Sequence, residues 1–100
     1  MIVRVFRARP RPGKEKALED YYIQTAVPQL QAQKGVRWVN FGRPLERGQE
    51  EYVLVSVWES KEDLIAFAGA NWRKPKLLAN EVDFVQDQVV DHYEMVPVGG

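Results

Sequence analysis

The stretch from Glu51 to Ser60, EYVLVSVWES, is the most restrictive feature of this sequence. Read with the period of two that a strand imposes, one face carries Tyr52, Leu54, Ser56 and Trp58, and the other carries Val53, Val55 and Val57. Both faces are apolar. An antiparallel sheet normally packs one side on its core and turns alternating polar residues to water on the other. The helices of a 100-residue chain suffice to cover one side. The second side needs a cover of its own.

The rest of the chain supplies the sheet to which this strand belongs. Residues 2 to 9 alternate Ile2, Arg4, Phe6 and Ala8 against Val3, Val5, Arg7 and Arg9, and Pro10 and Pro12 mark the strand's end. From Gly13 to Lys34 apolar residues fall at helical spacing, with Leu18, Tyr22, Ala26 and Leu30 four apart, and Gly35 closes the helix. Pro28 lies inside this helix and predicts a kink or break near Ala26 and Val27. Val36 to about Arg43 reads as a second strand, joined to the third by a connection containing Gly48. Ser60 and Asp63 form a shortened capping box that opens a second helix carrying Leu64, Ile65, Phe67 and Ala68. Gly69 and Pro75 interrupt it, and a short helical turn is expected over Lys76 to Asn80. VDFVQDQVVDHYEMVPV forms the fourth strand, long and with room for a bulge.

Strand, helix, strand, strand, helix, strand is the split βαβ order of an α+β, ferredoxin-like fold, a four-stranded antiparallel sheet with both helices on one face. No linker, repeat or low-complexity segment divides it, so residues 1–100 are expected to form one domain. With three strands apolar on both sides, the uncovered face amounts to several hundred square ångströms, more than soluble monomers usually expose. Its burial is worth on the order of 10 kcal/mol before association costs. A two-fold homodimer with sheets packed face to face is the expected solution.

Composition narrows the functions. Fourteen basic and fourteen acidic residues cancel, which removes the long-range field that a nucleic-acid or anionic-membrane partner would require. The absence of cysteine excludes thiol nucleophiles, iron–sulfur clusters and cysteine-based zinc sites. A single histidine, His92, with no spaced cluster of carboxylates, argues against a bound metal. No apolar run approaches a membrane span and no signal peptide precedes IVRVFRAR, so a soluble, cytoplasmic protein is expected.

The order of elements, the run VPQLQAQKGV from the first helix into the second strand, and above all VSVWESKEDLIAF resemble the antibiotic biosynthesis monooxygenase superfamily. The resemblance spans nearly the whole chain and implies a dimeric α/β barrel. The superfamily contains quinone-forming oxygenases, haem-degrading enzymes and members without known activity, so the fold alone assigns no reaction. The haem-degrading branch uses an Asn, Trp and His triad, and on the shared motif these positions fall near Phe6, on Phe67 and on Leu77. None of the three can ligate iron or donate a hydrogen bond to bound oxygen. What the resemblance then implies is oxygenation of a small aromatic or quinol-like molecule without cofactor. The protein would supply a base, oxyanion donors and a dry pocket. The rival reading is a non-catalytic barrel that binds a small apolar ligand.

Four residues are candidates for that chemistry. His92 has the one side chain whose unperturbed pKa lies near neutrality, although beside Asp91 and Glu94 near the end of the last strand it reads more readily as a surface or dimer-edge residue than as a base. Asn40, set in the apolar run VRWVNFG on the parity of Val36 and Trp38, needs a partner from the protein, a ligand or its own backbone. Tyr22 lies on the sheet-facing stripe of the first helix with a hydroxyl to satisfy. Trp58 is an indole donor or a packing residue. Phe67, Leu64 and Leu77 would line an apolar pocket, with Trp72 and Arg73 as its lid or as simple packing.

Overall fold

The computed structural model describes residues 1–46, 48–76 and 80–99. Four strands, β1 (Ile2–Pro10), β2 (Val36–Gly42), β3 (Tyr52–Trp58) and β4 (Val85–Glu94), pair antiparallel in the order β2-β3-β1-β4. The first helical unit runs as α1 (Glu15–Tyr21), a π turn (Tyr22–Ala26) and α2 (Val27–Gln31), and the second is α3 (Lys61–Ala68). This is the ferredoxin-like α+β fold. Leu18, Tyr22 and Leu30 from the first unit and Leu64 from α3 join Phe6, Leu54, Trp58 and Val90 of the sheet in one core.

The first helical unit is interrupted near Ala26 and Val27 as expected, in the form of a π turn just before Pro28. Proline cannot donate, and its ring crowds the carbonyl four residues back. The chain responds by widening the preceding turn, so that the Val27 amide donates to the Tyr22 carbonyl five residues earlier while the backbone stays right-handed helical. Tyr22 therefore stands at the one turn of the rod whose geometry differs from the rest. The unit ends before Gly35, whose φ of +85° disfavours a side chain and where a Cβ would collide with the Asp63 carboxylate. Asp63 belongs to the start of α3. Its amide donates to Ser60 Oγ at 3.2 Å and its carboxylate accepts from the same hydroxyl at 3.0 Å.

Two sequence expectations change on β2 and β4. Val36 pairs with Trp58 but Trp38 pairs with Val57, so Arg37 is an extra residue that reverses the side-chain parity of β2. Trp38 and Asn40 thus face the open side with Val57 and Val55, while Val39 and Phe41 turn to the helices. β4 is shorter than its apolar run, because β1 offers pairing positions only from Ile2 to Pro10, the last of them with Val85. A 3-10 turn, Glu81–Asp83, precedes it. The turn expected over Lys76 to Asn80 falls largely on Leu77, Leu78 and Ala79, which lie outside the described residues.

Directly paired residues share a face of the sheet. On the helix side Arg4 lies between Ser56 and His92, and Phe6 between Leu54 and Val90. On the open side Val3 and Val5 lie beside Val57 and Val55, with Trp38 and Tyr93 exposed at 49% and 57%.

Candidate functional site

A cavity of about 70 Å³ opens between the helical units and the sheet. That is several times the ~10–15 Å³ one water requires, enough for a handful of waters or one small ring. Phe6, Leu30, Leu54 and Phe67 form apolar walls, and Arg4, Ser56, Tyr22, Lys76 and Glu81 bring polar groups to the same space. These polar groups come from five different parts of the chain, and each is held by a specific contact.

Arg4 is only 5% exposed. Its Nη1 donates to the Trp72 carbonyl at 2.9 Å and contacts His92 Nε2 at 2.9 Å. A guanidinium has no acceptor, so the imidazole accepts, which fixes His92 as neutral with its proton on Nδ1. Burial lowers the Arg4 pKa to about 10, still fully charged near neutrality. Burial also lowers that of His92, and the charges of Arg4 and Arg73 add to it against the opposing effect of Asp91. The Trp72 ring meets the His92 ring edge to face at 4.9 Å, and the Arg73 guanidinium lies over the Trp72 ring at 4.3 Å.

Glu81, 4% exposed, enters the cavity from the 3-10 turn before β4. The Tyr22 hydroxyl donates to its Oε2 at 3.3 Å. Burial, then the negative charge of Glu81, pushes the Tyr22 pKa up, so the phenol remains a donor. Ser56 accepts from the Trp58 indole N–H at 2.9 Å. Trp58 is fully buried and stacks on Phe67 at 5.3 Å. Lys76 donates to the Phe67 carbonyl at 3.0 Å.

Of the four residues singled out in the sequence, Tyr22 alone lines the cavity. Trp58 acts on it through Ser56 and Phe67. His92 stands behind Arg4. Asn40 lies elsewhere, on a shallow cleft at the β2 edge with Glu19, Val27 and Arg43. Arg4 and Ser56 were visible as polar residues on otherwise apolar strand faces, whereas Glu81 sits in a turn without any periodicity. Trp72 and Arg73 lie across Arg4 and His92, and Leu77 is outside the described residues.

The model of one family, antibiotic biosynthesis monooxygenase, matches residues 1–71. The chain belongs to that family. No curated protein matches it in sequence. Among solved structures of similar fold is a haem degrader of Mycobacterium tuberculosis, determined with two haems bound in its active site, at 24% identity, TM-score 0.73 and full coverage of both chains. Two others are provisionally assigned antibiotic biosynthesis monooxygenases. That of Nitrosomonas europaea has 14% identity, TM-score 0.75, and coverage of 97% of this chain and 100% of its own. That of Bordetella bronchiseptica has 24% identity, TM-score 0.71, and coverage of 96% and 97%. At these identities the likeness is one of fold, and the family's range of chemistry leaves the reaction to be read from the cavity.

Proposed function

We propose that this family member is a cofactor-independent monooxygenase of a small aromatic or quinol-like molecule, bound in the cavity between helices and sheet. The observation that carries the reading is the pairing of a buried carboxylate, Glu81, with apolar walls wide enough for one ring. Glu81 would take the proton of a phenolic substrate, with the Tyr22 hydroxyl fixing its orientation. The resulting phenolate is electron-rich enough to reduce oxygen directly. One oxygen atom then replaces two substrate hydrogens and the other leaves as water, so that no external reductant is required. Ser56 supplies a hydroxyl where negative charge develops, and Arg4 brings positive charge to the same cavity. His92 contributes by holding Arg4 rather than as the base.

The reading extends to the assembly and to its rivals. We propose a homodimer through the open sheet face, since Val3, Val5, Val53, Val55 and Val57 form an apolar surface flanked by Trp38 and Tyr93. The haem chemistry of the Mycobacterium tuberculosis neighbour is disfavoured by Phe6 and Phe67, which pack in the wall and offer no ligand. Oxygen uptake with methylhydroquinone tests the enzyme reading. Glu81→Gln is expected to lower the rate by roughly 10²-fold or more, the scale of a lost general base, and His92→Ala to lower it less. A folded wild-type protein that consumes no oxygen with any single-ring quinol would leave the binding reading in its place. Haem titration is expected to give no Soret shift at stoichiometric haem.

A further inference from the structure

Arg4 carries more positive charge than its surroundings use. A buried guanidinium normally pairs with a carboxylate, because an uncompensated buried charge is costly. Among the described residues no carboxylate lies within ion-pair distance of Arg4, and both of its partners, the Trp72 carbonyl and the His92 imidazole, are neutral. Both contacts fall on Nη1 and account for its two N–H groups. Nε and Nη2 make no hydrogen bond among the described residues. These two nitrogens form the side-on fork that matches the two oxygens of a carboxylate.

Two further features agree. Lys76 lines the same cavity, and Arg73 and Lys61 gather over Trp72, 4.3 and 5.3 Å from its ring, so that the segment covering Arg4 is basic. The Trp72 carbonyl and His92 fix the guanidinium in place before any ligand arrives, which reduces the ordering cost of binding.

We propose that Arg4 is a carboxylate anchor, and that the molecule bound in this cavity is a single-ring aromatic acid. Its carboxylate would occupy the free Nε and Nη2 edge, and its ring the space between Phe6, Leu54 and Phe67. This rests on the cavity being the ligand site, as in the proposed function, but not on any turnover there.

Equilibrium titration calorimetry without oxygen separates the two. The probes are a dihydroxybenzoate and the dihydroxybenzamide of the same substitution, which are nearly isosteric and differ in charge. The wild-type protein is expected to bind the benzoate at least roughly tenfold tighter than the benzamide, as for a charge-assisted pair against a neutral one. Arg4→Met should remove that preference and leave benzamide binding within about threefold, while Arg4→Lys should recover only part of it because the fork is lost. The comparison of the two probes on wild-type protein needs no variant to fold. Equal affinity for both, or a preference that survives in a folded Arg4→Met, overturns the anchor while leaving the cavity as a ligand site. Binding of neither probe overturns the anchor and the cavity reading together. Tight benzoate binding without oxygen uptake upholds the anchor and removes only the oxygenase.

Discussion

The two faces of the sheet invert the usual relation between burial and polarity. The helix-covered face holds Arg4, Ser56 and His92 in adjacent register, whereas the side left open by the helices carries a valine patch, Val3, Val5, Val53, Val55 and Val57, beside the Arg7–Asp91 ion pair. Polar groups inside a covered face must each find a partner, and here they do so through Trp58, Trp72 and one another. Among the described residues both helical units pack on the other face, away from these valines. On the proposed reading the covered side is a site and the open side an interface, and substitutions on each should fail in different ways.

The largest effect is expected on the covered side. Trp58→Ala removes a fully buried indole, its stack on Phe67 and the donor to Ser56, and should cost about 3–5 kcal/mol of stability. A urea midpoint that hardly moves would show that this wall of the cavity is soft. Next comes the open side. Val55→Asp, at the centre of β3 between Val5 and Asn40, should weaken association by about 2–4 kcal/mol, and sedimentation should show monomers that retain wild-type secondary structure. An unchanged mass, or a wild-type protein already monomeric at micromolar concentration, would break the comparison on this face. Ser56→Ala is smaller, about 1–2 kcal/mol, because it leaves the buried Trp58 N–H without its acceptor. Its expected signature is a stability loss with the dimer intact.

The contrast between the faces was partly legible in the sequence. Strand and helix periods were strong enough to give the fold, and EYVLVSVWES alone announced two apolar faces. The parity of β2 was not legible, because a one-residue bulge at Arg37 leaves no compositional trace and moves Asn40 from the inner side to the outer. Pro28 announced a disturbance, but a π turn and a kink answer the same missing donor and differ only in how the surrounding rod packs. The cavity's chemistry was half visible. Arg4 and Ser56 break apolar alternation on their strands, while Glu81 reaches Tyr22 across 59 residues of sequence from a short turn. Long-range pairing of that kind has no local pattern to betray it.

The subtlest prediction concerns His92, which links the covered face to pH. As acceptor for Arg4 Nη1 the ring must be neutral, and burial followed by the Arg4 charge holds its folded-state pKa below the ordinary value of 6.5. The unfolded chain, with the ordinary value, therefore takes up its proton first as pH falls. Stability from this residue is complete above about pH 6.5 and declines below it, until the folded form is protonated as well. Thermal melts of the wild-type protein should drop between neutrality and mildly acidic pH by more than those of His92→Gln. Gln can present a carbonyl oxygen to Arg4 but takes up no proton, so it removes the titration while keeping an acceptor. Parallel melting profiles for the two proteins would mean that Arg4 is held by the Trp72 carbonyl alone. A wild-type profile that rises toward acid would reverse the sign of the shift and with it the assignment of a neutral ring. Val55→Asp should leave the pH slope specific to His92 in place, since the two residues lie on opposite faces of one sheet.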